Sequence, residues 1–380
     1  MPWVLYLLGL AVFAQGTSEF MLSGLVPGIA VELGVSVPAA GALTSAYAVG
    51  MVVGAPVVAL VSLRWPRRVA LSAFLAVFLL VHVVGALTGS YGVLFGTRVV
   101  AALANAGFLA VALATATALV APDRKGRATA VLLGGVTLAC VAGVPAGALL
   151  GQLWGWRAAF WAVALASVPA LLAVLRAVPA GGGGVVPSVR GELAALGRPQ
   201  LVVVLVLGAL VNGATFCSFT YLAPVATEVA GLGAGWVPVV LALFGLGSFL
   251  GVGLAGRVAD SRPLPVLTVG GLVLAGGWAV FAVTAGYAWV ALGLVLVLGT
   301  LSFGVGSTLI SQALYAGSGA PRLAGASATA AFNVGAALGP WVGGLALAAG
   351  FGYRAPLWVS AGLVLVALGV GLGARRVVAG

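Results

Sequence analysis

Long apolar runs, interrupted by short polar or Gly/Pro segments, fill almost the whole chain. They fall at about residues 3–29, 38–63, 69–88, 91–120, 128–152 and 156–176, then at about 200–228, 235–256, 264–285, 287–315, 324–349 and 354–374. Each matches or exceeds the roughly 20 residues that an α-helix needs to cross a hydrocarbon core about 30 Å thick. In lipid a segment must satisfy its own backbone groups, and runs this long and continuous do so as helices. The pattern predicts an all-α membrane protein with twelve transmembrane helices. The one long interruption, Val178 to Gln200, contains Gly181 to Gly184, Pro187, Arg190, Glu192 and Arg198, and reads as a linker ending in a short interfacial helix. The expected organisation is a six-helix half over 1–177, a cytoplasmic linker over 178–199 and a second six-helix half over 200–380. The start, Met1-Pro2-Trp3-Val4, has neither a basic segment before its apolar run nor a small-residue cleavage site, and reads as a retained first helix.

Composition agrees and removes other classes. Of 380 residues 63% are apolar and 6% charged, against roughly 45–50% and 25% in an average soluble domain, so charge is too scarce to cover a soluble surface. The pI near 10.8 suggests nucleic acid, yet no stretch mixes dense Lys/Arg with stacking aromatics. Membrane orientation accounts for the charge. With the N-terminus placed in the cytoplasm, 14 of the 17 basic residues fall on that side, where they outnumber Asp123, Glu192 and Asp260 by 11. Arg157 and Arg354 on the other side cancel Glu32 and Glu228. Both termini are therefore expected in the cytoplasm. Cys140 and Cys217 lie inside apolar runs, so neither a disulfide framework nor a metal site is indicated.

Sliding the chain against itself by 197 residues superposes Pro27 on Pro224, Gly34 on Gly231, Gly50 on Gly247, Gly54 on Gly251 and Pro66 on Pro263. Further on it pairs Gly155 with Gly352, Arg157 with Arg354 and Trp161 with Trp358. Matches of Pro, Arg and Trp at one offset are far rarer by chance than matches of Gly and Ala. The chain is thus two pseudo-symmetric halves, and six helices per half make them a parallel repeat about the membrane normal.

Two residues stay charged inside the membrane, Glu19 and Arg98. An acid near mid-bilayer costs about 2.5–3.5 kcal/mol on insertion scales and usually marks an ion pathway. At 1.5 Å per residue, Glu19 lies about 15 Å below the outer end of its helix and Arg98 about 10 Å below that of the fourth, so the two can meet. The repeat aligns Glu19 with Phe216, so the acid belongs to one half alone.

The motifs resemble the major facilitator superfamily. Its loop between helices 2 and 3 usually reads Gly-x-x-x-Asp-Arg-x-Gly-Arg-Arg/Lys. Here Arg64-Trp65-Pro66-Arg67-Arg68 keeps the basic cluster without the aspartate, and the second copy keeps Gly256 and Asp260. The resemblance implies that Asp260 latches the cytoplasmic gate against the start of helix 5, around Arg127 to Thr129. Gly143-Val144-Pro145-Ala146-Gly147 is similar to the Gly-Pro motif of antiporters in the superfamily, and helix 11 carries Gly335, Gly339, Pro340, Gly343 and Gly344. With 59 Gly in 380 residues, about nine Gly-x-x-x-Gly pairs arise by chance, so their recurrence at the repeat offset weighs more than their occurrence. Gly143, Pro145, Gly147, Gly339 and Pro340 are the expected gating positions.

Gly16-Thr17-Ser18-Glu19-Phe20 resembles the first helix of drug:proton antiporters, and Ala102-Leu103-Ala104-Asn105-Ala106-Gly107 resembles helix 4 of actinobacterial chloramphenicol-resistance exporters. The resemblance implies a major facilitator fold and proton-coupled export of a small amphiphilic drug, most simply chloramphenicol. Glu19 would couple the proton. Arg98 would either tune its release or tie to backbone carbonyls or Glu19. Asn105, Asn212 and Asn333 could hydrogen-bond a neutral drug or tie helices together, and Phe20, Tyr47, Phe216, Phe219 and Phe303 could stack on it or simply pack. His82 reads as a hydrogen-bonded packing residue. The expected partners are drug, protons and the bilayer, with no cofactor, metal or nucleic acid, in a monomer. No nucleoside-triphosphate loop, His-Glu-x-x-His motif or buried catalytic pair points to an enzyme. The remaining alternatives are an exporter of sugars or nucleosides, and a sensor or channel, although a sensor wants a soluble output domain and a channel needs no duplication.

Overall fold

The computed structural model describes residues 2–62, 65–121, 125–178, 199–258, 263–316 and 321–378. The first six apolar runs form α1 (Trp3–Phe20), α2 (Leu22–Leu33), α3 (Val37–Ser62), α4 (Arg67–Leu87), α5 (Tyr91–Ala118), α6 (Lys125–Leu138), α7 (Val144–Trp154) and α8 (Trp156–Ala177). The last six form α9 (Pro199–Thr220), α10 (Val237–Val258), α11 (Pro263–Thr284), α12 (Ala288–Ala316), α13 (Pro321–Ala348) and α14 (Ala355–Val378). Among the described residues 11 helical segments are long and apolar enough to cross a membrane, or 12 when α1 and α2, which meet at a bend of 52°, count as one span. The linker and Asp260 lie outside the described residues.

Two compact units emerge. One contains Met1–Ser36 and Ala46–Val186, the other Val37–Ser45 and Pro187–Gly380. In the first, α1 packs on α6 and α8, and α4 on α5 and α8; in the second, α9 packs on α13 and α14, and α11 on α12 and α14. These are the same pairs shifted by one repeat. The turns repeat too. Gly34 and Gly231 take φ of 64° and 66°, and Gly155 and Gly352 take 81° and 73°, a left-handed region where a Cβ would cost about 1–2 kcal/mol. Arg157 donates to the carbonyl of Thr88 at the end of α4, and Arg354 to that of Val283 in the last turn of α11. A cation at a helix C-terminus satisfies an orphan carbonyl and meets the negative end of the dipole. Arg157 also pairs with Glu32.

Glycines set how closely the helices approach. A Cβ at Gly247 or Gly251 of α10 would meet backbone atoms of α12 at Leu296 and Thr300, and one at Gly50 of α3 would meet Val99 and Ala102 of α5. Gly335 and Gly339 of α13 rest on the backbone of Ala209 and Gly213 in α9. Close backbone contact supplies the dispersion that holds helices together in lipid, where no hydrophobic drive separates them from the solvent.

The fifth span is not one helix. Between α6 and α7, Ala139–Gly143 winds as a π turn, with the Val144 N–H donating to the Ala139 carbonyl. Pro145 has no N–H and its ring crowds the carbonyl four residues back, and the wider turn absorbs that conflict. A second π turn, Val225–Val229, follows Pro224 in the other unit.

Candidate functional site

The site in the first unit is assembled on the bend of the first span. α1 ends at Phe20, with the N–H of Met21 closing onto the Thr17 carbonyl. Ser23 Oγ donates to the Phe20 carbonyl at 2.9 Å, so the break is satisfied locally. Glu19 therefore sits one residue before Phe20 at the end of a helix, inside the membrane span.

Arg98 reaches this turn from α5. Its Nη1 donates to Ser18 Oγ at 2.8 Å and its Nη2 to the Ser18 carbonyl at 2.6 Å. The guanidinium carbon lies 4.4 Å from the centre of the Tyr47 ring and 5.9 Å from that of Phe160, within cation–π range. The expected meeting of Glu19 and Arg98 thus occurs one residue away. Among the described residues the carboxyl makes no ion pair, although the guanidinium charge acts on it electrostatically. Of the two roles left open for Arg98, the tie to a backbone carbonyl is present.

The network continues. His82 Nδ1 lies 2.6 Å from the Phe78 carbonyl, which can only accept, so Nδ1 carries the proton. His82 Nε2 then accepts from Ser18 Oγ at 2.6 Å, and Ser18 accepts from Arg98. His82 is packed between Phe78 and Phe160, at centroid distances of 4.2 and 5.7 Å. It is hydrogen-bonded and packed as expected, but it also belongs to the Arg98 chain.

Polar atoms without partners cluster on the same helices. Gln15 is 1% exposed, and neither end of its amide is hydrogen-bonded; Arg98 Nε is also buried and unpartnered. Such groups are costly in an apolar interior and ask for water or a ligand. Gln15 stands one turn before Glu19, and the repeat aligns it with Asn212. That i, i+4 spacing and amide-to-amide match were the available signals for it. Asn105 donates to Met51 Sδ at 3.6 Å.

Two of the gating candidates, Gly143 and Gly147, touch this region directly. A Cβ on Gly143 would collide with Thr17, one on Gly16 would meet Ala139 at 3.0 Å, and one on Gly147 would meet Met21 at 3.3 Å. The π turn that contains Gly143 and precedes Pro145 therefore lies against the turn carrying Glu19.

In the second unit, Phe216 meets Phe219 at 6.1 Å, Phe219 meets Phe244 at 4.7 Å and Phe244 meets Phe303 at 6.2 Å. Phe244 completes a string whose other three members stood out in the sequence. Asn212 Nδ2 donates to the Phe332 carbonyl at 2.7 Å and ties α9 to α13, while Asn333 Nδ2 donates to Thr329 within α13. Gly339 packs on Gly213, and the Pro340 carbonyl accepts from Tyr221 Oη at 2.9 Å.

Comparison with known proteins gives this arrangement a family. The chain is 57% identical to a chloramphenicol resistance protein of Streptomyces lividans, over 100% of this chain and 97% of that one. It is 36% identical to the inner membrane transport protein YdhP of Escherichia coli, over 91% and 89%. It is 31% identical to a chloramphenicol efflux pump of Mycobacterium tuberculosis, over 97% and 92%. Its fold resembles the solved structure of a bacterial homologue of the human lysosomal transporter Spinster in an inward-facing, occupied conformation, with a TM-score of 0.79 at 17% identity, covering 98% and 96% of the two chains. Residues 8–333 match the Major Facilitator Superfamily itself, and this multi-pass membrane protein belongs to that family of transporters.

Proposed function

We propose that the protein exports chloramphenicol, or a close phenicol, in exchange for protons, with Glu19 as the proton carrier. The observation that carries this reading is the bonding of Arg98. A buried carboxylate locked to an arginine resists protonation, because breaking such a pair strands a charge at a cost of about 3–5 kcal/mol. Here the guanidinium donates to the Ser18 hydroxyl and carbonyl and lies over the Tyr47 ring. Glu19 can then gain and lose a proton without breaking those bonds.

The position fits alternation of access. Glu19 lies at a helix break whose neighbour is a π turn, and both are irregular backbone of the kind transporters tolerate only where it serves a site. Protonated from the outside, Glu19 would let the empty transporter return to its inward-open state, where loss of the proton to the cytoplasm frees the site for the drug that competes with it. Gln15, Tyr47 and Asn105 supply polar groups to a neutral drug. The second unit has an aromatic string of its own, Phe216, Phe219, Phe244 and Phe303, while Asn212 and Asn333 already donate to backbone carbonyls. Exchange of a neutral drug for protons moves net charge, so transport would respond to membrane potential as well as to the pH difference.

The substrate comes from likeness to the Streptomyces and Mycobacterium proteins. A drug-susceptibility panel in a bacterial host stripped of its own exporters tests it. Protection against phenicols is expected; protection against none of them, with sugars or nucleosides exported instead, would overturn it.

A further inference from the structure

Within the second unit, α9, α11, α12 and α14 line a cavity of about 680 Å³ that is open along one side. It runs along α9 from Gln200 to Val211 and along α12 from Val305 to Tyr315, which at 1.5 Å per residue is about 15 Å, the depth of one leaflet of hydrocarbon. Its deep wall is buried and aliphatic at Val211, Val305, Leu309 and Val364, and its rim reaches Leu264, Leu272 and Leu372, all exposed.

The equivalent place in the first unit is filled by side chains. There Leu71, Phe74, Phe108 and Val174 pack into one continuous core with Leu5 and Leu8. The 197-residue register carries these four onto Thr268, Gly271, Val305 and Gly371, and all four line the cavity. Two phenylalanines, a leucine and a valine have become two glycines, a threonine and a valine in a frame whose helix pairs otherwise repeat. The same register carries Ala14, Ala112 and Ser167 onto the larger Val211, Leu309 and Val364 of the deep wall, so the space lost to protein lies where Phe74 and Phe108 stand in the first unit, and it costs stability unless something fills it.

The shape and setting define the filler. The slot is parallel to the helices, one leaflet deep and mostly aliphatic, and three of its polar side chains, Gln200, Gln312 and Tyr315, stand toward one end. At that end the sequence is basic: Arg198 precedes Pro199, Arg262 precedes Pro263, and Arg375 and Arg376 follow Ala374. Juxtamembrane arginines attract anionic lipid, and the charge asymmetry of the chain assigns this end to the cytoplasm. We propose that the cavity holds an acyl chain of an anionic phospholipid of the cytoplasmic leaflet, with its phosphate toward the arginine-flanked end. The lipid completes the core of the second half as Phe74 and Phe108 complete that of the first.

The test restores the first-half residues. A Cβ on Gly371 meets only side-chain atoms of Leu207, at 3.8 Å, so that site accepts a larger residue, whereas one on Gly271 would meet Leu368 at 2.8 Å and is left alone. Native mass spectrometry of the protein purified from bacterial membranes should find about one tightly held phosphatidylglycerol or cardiolipin per chain. The combined variant Thr268→Leu, Val305→Phe, Gly371→Val should reduce that occupancy at least tenfold. Equal occupancy in both proteins, or none in the wild type, would overturn the proposal. Should the variant not fold, wild-type protein in nanodiscs containing phosphatidylglycerol with a photoreactive chain terminus decides the matter. Adducts are expected on peptides spanning 200–211 and 305–312. Adducts confined to other helices, or adducts there that chloramphenicol abolishes, would overturn it, the second by making the cavity a drug site.

Discussion

Arg98 holds Ser18 at two points, the hydroxyl at 2.8 Å and the carbonyl at 2.6 Å, and so stops one residue short of Glu19. A two-point grip on the residue before the acid fixes the height and direction of the helix end. It does so without consuming the carboxylate. The same hydroxyl passes the bond on to His82, so three side chains from three helices are ordered by one serine.

Ser18→Ala removes the middle of that chain and leaves Arg98 Nη1 and His82 Nε2 without their partner. Each stranded group costs about 1–3 kcal/mol, so the variant should melt earlier in detergent and transport less. His82→Leu should do likewise. The double variant should lose less than the sum of the two, with a coupling of about 0.5–3 kcal/mol. Thermal unfolding of the four proteins measures it, and strictly additive losses would mean that the chain is not coupled.

Gly143 and Thr17 make a second testable pair. Gly143→Ala would drive a methyl into Thr17, two residues before Glu19, and overpacking of this kind costs about 1–3 kcal/mol. The expected outcome is a folded protein with impaired drug efflux. Thr17→Ala in the same chain removes the nearest colliding atoms and should restore part of the efflux. Unimpaired efflux by Gly143→Ala would show that the π turn and the Glu19 turn move independently.

Glycines of the second unit should differ sharply in tolerance. A Cβ at Gly339 meets backbone of Gly213, which has nowhere to go, whereas one at Gly371 meets only side-chain atoms at 3.8 Å. Gly339→Ala should lower folded yield severalfold and Gly371→Ala should leave it unchanged, as read by fluorescence-detected size-exclusion chromatography. Equal yields would contradict the packing described for α9 and α13.

Much of this arrangement was legible in the sequence. Apolar run length gives the spans because lipid enforces helices, and the 197-residue register survives in Gly34/Gly231, Gly155/Gly352 and Arg157/Arg354, each pair doing the same job in its half. Counting residues also placed Glu19 and Arg98 at compatible depths. Depth says nothing of azimuth, however, and each residue turns a helix by about 100°. Hence the guanidinium lands on Ser18, and His82, which the sequence marks only as a hydrogen-bonded packing residue, joins the same chain. Gln15 was passed over because a single amide in an apolar run carries little signal until its burial and lack of partners are known. The cavity of the second half was hidden for another reason. Small residues in a chain with 59 glycines stand out only when their repeat partners are known to fill a core.

Topology offers a simple check on orientation, which rests on the split of 14 basic residues to two. In a chain freed of Cys140 and Cys217, single cysteines at Gly183 and Gly89 should label from opposite sides of the membrane with an impermeant maleimide, Gly89 from outside. Outside labelling of Gly183 would reverse or abolish the assignment of the linker and both termini to the cytoplasm.

The central claim is that Glu19 carries the coupled proton, and drug efflux from proteoliposomes under an imposed pH gradient tests it most directly. Glutamine keeps the size and some hydrogen bonding of the side chain but cannot titrate. Wild-type protein should move chloramphenicol faster as the gradient steepens, and Glu19→Asp should retain a reduced dependence. Glu19→Gln should lose the dependence entirely while still exchanging labelled for unlabelled drug. Full gradient-driven efflux by Glu19→Gln would contradict the account and place the coupling elsewhere in the chain.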